Sequence, residues 1–240
     1  MAPDALTAVR ASLAAQLAEL REEPEASLPP ALLDLRVDRV ALPGGDAFVL
    51  RPREWEQLRH EEGGAGRPVP YWARLWPSGL ALARAVAQAP PAPGTRVVEL
   101  GAGLALPSVA AGRAGARVLA TDGHADAVAF AAHVLALNEA AGEVALVDWT
   151  AHPPAHGDAL AARGPWDLVL AADVLYTAAN VRAALALLPR LVEPGGTVLL
   201  ADPGRAGARD FLAAARASFH VDTRLDGDVA LHALRRKAGR

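Results

Sequence analysis

Two carboxylates and two glycines in this chain are spaced for chemistry. The run VVELGAGLALP places Glu99 at the end of an apolar stretch, followed by Gly101, Ala102 and Gly103. Asp122 closes a second apolar stretch, ARVLATD. It lies about 20 residues on, the separation at which an acid meets ribose hydroxyls in strand–loop–helix folds. The glycines permit a tight turn and close approach of backbone to a ligand, and Pro107 suits the first turn of a following helix. The third glycine of the dinucleotide fingerprint is absent, with Leu106 in its place. A dinucleotide would also lay its pyrophosphate against Glu99. A ligand carrying a sulfonium and an ammonium suits an acidic loop better. S-adenosylmethionine is therefore the expected cofactor, and NAD comes second. The plainer alternatives are an ordinary turn at the glycines and a helix-capping role for Asp122 ahead of a helix near Ala125.

Further groups sit at other apolar run ends. The chain has 5 tryptophans and 2 tyrosines, yet PYWARLWPSG alone holds Tyr71, Trp72 and Trp76. Asp148 and Trp149 follow the run EVALV, where an indole can stack on a base. In LVLAADVLY, Ala172 precedes Asp173, and Tyr176 follows three residues later, on the same face if the segment turns helically. Asp202-Pro203-Gly204-Arg205 ends another run, and Arg205 is suited to hold an acidic or carboxylate portion of a substrate. Each has a plainer alternative. Trp76 anchors a surface arm, Trp149 shields a loop, Asp173 caps a helix, Tyr176 belongs to the core and Arg205 is exposed on a turn.

These residues need a scaffold that gathers strand ends. From residue 95 onward, TRVVEL, ARVLAT, EVALVD, WDLVLAA and TVLLAD read as short buried strands. Helices are expected over Pro107–Ala114, Ala125–Ala141, Val181–Val192 and residues 208 to 218. Such alternation implies a parallel sheet covered on both faces. FHVDTRL and DVALHALRR, joined by Asp226-Gly227, predict a closing antiparallel hairpin. Before this block, residues 4 to 22 predict an amphipathic helix, Leu32 to Leu50 a hairpin about Pro43-Gly44-Gly45, and residues 61 to 70 a mobile loop. The expected organisation is an N-terminal helical and hairpin extension over 1–68 and an α/β domain over 69–240.

Composition removes several functions. The 240 residues suffice for a sizeable core, with 52% hydrophobic and 21% charged residues. A net charge of −3 gives no general attraction to nucleic acid or anionic membranes. There is no cysteine, which excludes disulfides, thiolate metal sites and a cysteine nucleophile. The 7 histidines offer no close ligand spacing beyond His152 and His156, so no metal is expected. No signal-like start or membrane-length apolar run is evident, and cytoplasm is the expected compartment.

From about Val69 onward the chain resembles the seven-stranded, class I S-adenosylmethionine-dependent methyltransferases. ELGAG is similar to their first motif, TDG to their second strand end, and the terminal hairpin to their last two strands. PYWARLWPSG, AADVLY and LADPGR narrow the resemblance to a lysine methyltransferase group. That group includes the electron-transfer-flavoprotein β-subunit enzyme, and some bacterial relatives carry a nicotinamide N-methyltransferase label. The resemblance implies a Rossmann-like, mostly parallel seven-stranded sheet and S-adenosylmethionine as methyl donor. It implies that Trp76 closes over the methionyl part, with Glu99, Gly101, Ala102, Gly103, Asp122, Asp148, Trp149 and Ala172 around the cofactor. Asp173 and Tyr176 would flank the acceptor amine as catalytic residues, with Tyr71, Trp72 and Arg205 toward the substrate. The acceptor it implies is a protein with an accessible lysine, or a small amine or nicotinamide. The oligomeric state is left open.

Overall fold

Five apolar runs separated by helices have one economical arrangement: strands side by side, with right-handed crossovers covering both faces. The computed structural model, which describes residues 3–62, 69–151 and 155–237, has that arrangement. Its N-terminal elements are α1 Pro3–Arg21, α2 Pro30–Leu33, β1 Leu35–Val40, β2 Ala47–Pro52 and α3 Trp55–Glu62. Then follow α4 Pro77–Gln88, β3 Arg96–Leu100, α5 Leu106–Arg113, β4 Arg117–Asp122, α6 Ala125–Leu137 and β5 Glu143–Leu146. The chain continues with α7 Ala155–Ala162, β6 Trp166–Ala172, α8 Ala178–Leu191 and β7 Val192–Asp202. It ends with α9 Ala206–Ala215, β8 Phe219–Asp226 and β9 Val229–Arg236.

The seven-stranded sheet has the order β5-β4-β3-β6-β7-β9-β8. Neighbours from β5 to β7 are parallel, and β9 runs antiparallel to both β7 and β8. The chain moves outward from β3 to β5, then returns to β6 on the other side of β3. That reversal opens a crevice at the carboxyl ends of β3 and β6, where open α/β sheets bind ligands. Glu99 pairs across to Ala120 and Leu170, so the ends of β3, β4 and β6 lie level.

One apolar cluster packs α4, α5 and α6 on the first face of the sheet, and a second packs Leu160, Leu187 and Phe211 on the other. The N-terminal segment joins the first: Leu13 and Leu17 of α1 are fully buried in the cluster that holds Phe130 and Val134 of α6. Arg21 reaches the fully buried Asp126, with Nε 2.6 Å from Oδ1. The hairpin is fastened by Asn138, which accepts from Phe48 N at 2.8 Å and donates to Phe48 O at 2.6 Å.

Several boundaries differ from the sequence expectation, each for a local reason. Helix α6 stops at Leu137 rather than Ala141 because Glu139 turns to a φ of 52°. Helix α8 begins at Ala178, before Val181, because Thr177 caps it through Asn180 N at 3.1 Å. Strand β7 starts at Val192, paired with Trp166 ahead of a register shift, rather than at Thr197. The terminal hairpin turns on Gly227-Asp228, since Asp226 still pairs with Val229, and Gly227 supplies the positive φ of 58°. Helices α2, α3 and α7 were not expected at all. The expected mobile loop over 61 to 70 falls mostly on residues 63–68, outside the described residues. Among the described residues no helix is long and apolar enough to cross a membrane.

Candidate active site

The carboxyl ends of β3, β4 and β6 open into a cavity of about 570 Å³. All the candidate residues except Arg205 line it. A volume of that size suits a small-molecule cofactor.

Glu99, next to last in β3, is almost completely buried and accepts from Ser108 N at 3.0 Å and from the Ser108 hydroxyl. Burial pushes its carboxyl up to about 8; the Ser108 bonds oppose this, and the nearby Asp122 charge adds to it. Asp122, at the end of β4, accepts from Gly103 N at 2.9 Å and His124 N at 3.0 Å. Burial raises its carboxyl above the ordinary range, against the pull of those amides. Two crowded buried acids favour a cation beside them. A sulfonium and an ammonium meet that demand, so the donor set fits S-adenosylmethionine. Asp122 is not the cap of α6: His124 holds that position, its Nδ1 accepting from Asp126 N at 3.3 Å.

The glycine loop is shaped by two close approaches. Gly101 has a φ of 64°, and a Cβ there would meet Val174 Cγ1 at 3.0 Å. A Cβ on Gly103 would lie 3.3 Å from the Trp72 carbonyl oxygen. The aromatic cluster therefore backs directly onto the loop. Trp72 is buried, with its ring centroid 4.9 Å from that of Phe130 and 5.8 Å from that of His124. It forms wall rather than rim, and its Nε1 has no partner among the described residues. Trp76 precedes α4, its Nε1 donating to Tyr71 O at 2.8 Å. Arg74 lies over the Trp76 ring at 4.7 Å and the Trp55 ring at 5.9 Å, which ties the rim to α3. Tyr71 is exposed at the mouth. Beyond β5, Asp148 accepts from Thr150 N at 3.0 Å and Thr150 Oγ1 at 2.7 Å, and Trp149 is buried beside it.

At the other end, Ala172 closes β6 and Asp173 leaves it with a φ of 58°. The segment from Asp173 to Tyr176 does not turn helically, because that left-handed residue breaks the path and α8 starts only at Ala178. Both side chains still line the cavity. The plainer alternatives for this pair do not match the geometry. Thr177 caps α8, and Tyr176 is 62% exposed. Asp173 Oδ1 pairs with Arg205 Nη1, while the shielded Oδ2 has no partner among the described residues. Arg205 stands behind Asp173, outside the lining, and also reaches Asp202 Oδ2 at 3.1 Å.

Ser108, His124, Arg74 and Asn180 support or line this site without having been singled out from the sequence. A serine two residues into the helix after an acidic strand end was a usable signal for Ser108. For Asn180 the signal was its place three residues after Thr177, a capping pattern. His156 accepts from Asp148 N at 3.2 Å, and His152 lies outside the described residues. No metal-binding cluster occurs among the described residues.

The sheet order and the acidic crevice define a class I S-adenosylmethionine-dependent methyltransferase. Solved structures share the fold. The T. thermophilus 16S rRNA N2 G1207 methyltransferase, in complex with S-adenosylmethionine and guanosine, aligns at TM-score 0.63 and 18% identity over 90% of this chain and 53% of its own. The ribosomal protein L11 methylase of Lactobacillus delbrueckii subsp. bulgaricus aligns at 0.53 and 22% over 65% and 77%. At those identities the likeness speaks for the fold alone. A model of the lysine methyltransferase family matches residues 70–216, and the chain belongs to that family. The electron transfer flavoprotein beta subunit lysine methyltransferase of Xenopus laevis is 32% identical over 185 residues, 76% of this chain and 68% of that protein. Its counterpart from Danio rerio is 34% identical over 148 residues, 60% of this chain and 54% of that protein. The methyl donor is S-adenosylmethionine.

Proposed function

We propose that this enzyme methylates the ε-amine of a lysine presented by a protein, with cofactor at the β3–β5 end of the cavity and acceptor at the β6 end. The observation that carries this reading is Asp173: a shielded carboxylate oxygen without a partner, in the same cavity as the buried acids and beside an exposed tyrosine. S-adenosylmethionine, when bound, would supply a methyl group whose carbon an amine lone pair attacks in line, the N–C bond forming as the S–C bond breaks and the neutral thioether leaves. Glu99 and Asp122 would hold its charged and ribose groups, Trp149 its adenine, Ala172 and the glycine loop its backbone-facing side, and Trp76 its methionyl part. Asp173 Oδ2 accepts an N–H of the acceptor and so aims the nitrogen lone pair. A free lysine titrates near 10.4, so the buried aromatic wall favours its neutral form. The Tyr176 ring face and the Asp173 charge then stabilise the cation that develops on nitrogen.

Two observations support a macromolecular acceptor. Tyr71 and Tyr176 are both more than half exposed at the mouth, where a long side chain can enter while its carrier stays outside. The relatives from Xenopus laevis and Danio rerio are named for a protein substrate, the electron transfer flavoprotein beta subunit. The host flavoprotein is therefore the first acceptor to try. The net charge of −3 does not favour nucleic acid. We also propose that residues 69–240 form the methyltransferase domain and residues 1–68 an extension braced on α6. Incubation with labelled S-adenosylmethionine and host lysate, followed by mass spectrometry, tests the function. Label on a protein lysine supports it, whereas label confined to small molecules replaces it with a small-amine or nicotinamide N-methyltransferase.

A further inference from the structure

The arrangement behind Asp173 is more elaborate than an acceptor carboxylate requires. Asp202, fully buried at the end of β7, accepts through Oδ1 from Gly204 N at 2.8 Å and Arg205 N at 2.7 Å. Its Oδ2 accepts from Arg205 Nη1 at 3.1 Å. The same Nη1 donates to Asp173 Oδ1. A single guanidinium nitrogen thus ties the end of β7 to the residue leaving β6. Asp173 N adds a second tie, donating to Ala201 O at 3.0 Å. Between these ties Asp173 holds a left-handed backbone, which few non-glycine residues adopt. One of its oxygens is anchored and the other is left for a partner from outside.

We infer that Arg205 is a positioning residue: it fixes the side chain of Asp173 with Oδ2 turned to the acceptor amine, and makes no contact with the substrate itself. The inference rests on the acceptor site proposed above. Charge supports it, because one guanidinium between two carboxylates leaves a single negative charge to balance the cation that develops on the amine nitrogen as the methyl arrives. Geometry supports it too, since Arg205 stays outside the cavity lining that Asp173 joins. A planar guanidinium can address two carboxylates at fixed angles, whereas a lysine ammonium acts as a flexible point charge. The alternative is that Arg205 lets go of Asp173 and grips an acidic part of the substrate.

A double-mutant cycle separates the two. Wild type, Arg205→Ala, Asp173→Asn and the double variant are assayed with tritiated S-adenosylmethionine at saturation, against increasing host lysate. Incorporation is read in whichever pool, protein or small molecule, the wild type labels. A tether predicts that Arg205→Ala lowers the limiting rate roughly tenfold or more and leaves the half-saturating lysate concentration within about twofold. It also predicts that Arg205→Ala costs less than about twofold once Asp173 is already Asn. Calorimetric affinity for S-adenosylhomocysteine stays unchanged throughout, which shows that the cofactor half is folded. Should Arg205→Ala lose that binding, Arg205→Lys takes its place in the cycle with the same expectations. A full multiplicative loss in the double variant, or a raised half-saturation with the limiting rate kept, overturns the tether and gives Arg205 to the substrate. Wild-type activity in Asp173→Asn would instead remove the acceptor site on which the tether depends, whatever Arg205 does.

Discussion

The two ends of the cavity hold their carboxylates by different means. At the β3–β5 end the partners are mostly backbone amides of the turns and helix starts that follow the strands. Ser108 binds Glu99, Gly103 N and His124 N bind Asp122, and Thr150 binds Asp148. At the β6–β7 end the partner of Asp173 is a guanidinium 32 residues away, brought near because Ala172 pairs with Ala201 in the sheet. A binding end built from backbone amides is rigid once its strands and turns form. The β6–β7 end, proposed as the acceptor side, depends on one side chain crossing between strands, and is correspondingly easier to disable without disturbing the fold.

The sharpest way to break that comparison is to exchange the two acids. Asp173→Asn should lower turnover at saturating cofactor at least tenfold, about 1.4 kcal/mol of barrier. It should leave calorimetric affinity for S-adenosylhomocysteine nearly unchanged. Asp122→Ala should do the reverse, weakening the cofactor roughly tenfold or more through loss of charge-assisted hydrogen bonds. Turnover should largely return when the cofactor is raised to saturation. If both variants weaken cofactor binding equally, the division of the cavity into two ends is wrong.

Smaller effects sharpen the same boundary. Trp76→Ala should raise the cofactor dissociation constant by less than Asp122→Ala does, because Trp76 is held by Tyr71 and Arg74 at the rim rather than within the sheet. Tyr176→Phe keeps the ring and should keep part of the turnover, while Tyr176→Ala should keep very little. Equal loss in both would assign Tyr176 to hydrogen bonding rather than to its ring face.

The contrast also explains what could be read from the sequence. ELGAG and the acid at Asp122 were legible because their geometry is local: a strand end, a turn that needs glycine, and a helix start. The parallel sheet and its closing antiparallel hairpin followed from alternating apolar runs and a two-residue turn signal. The path from Asp173 to Tyr176 could not be read, because an aspartate in a left-handed conformation carries no distinctive spacing; the register of β6 on β7 holds it there. The partners of Arg205 were hidden for the same reason. Its commitment to Asp173 and Asp202 arises from two strands meeting. The burial of Trp72 was hidden too, because Gly103 and Phe130, which pack it into the wall, are distant in sequence.

The last prediction concerns pH and belongs to the cofactor end alone. The Glu99 carboxyl is raised from 4.5 to about 8 in the folded protein, with burial the main cause. The fold therefore binds a proton at Glu99 that the unfolded chain has lost across most of this interval. Stability from this group is fully present below about 4.5 and declines as pH rises toward about 8, the folded-state value. His232 works in the opposite direction. Burial lowers its pKa, so that contribution is lost on acidification instead. Melting curves of ligand-free wild type and Glu99→Gln between roughly pH 5 and pH 8.5 separate the two, because the histidine contribution is common to both. The wild type should lose several degrees relative to the variant as pH rises, since glutamine keeps an acceptor for Ser108 N but has no proton to release. S-adenosylhomocysteine should flatten the wild-type difference, because its ammonium compensates an ionised Glu99 and leaves the fold less dependent on the proton. Parallel curves for the two proteins, with and without ligand, would show that Glu99 stays ionised throughout and that the acid pair is stabilised without a cation.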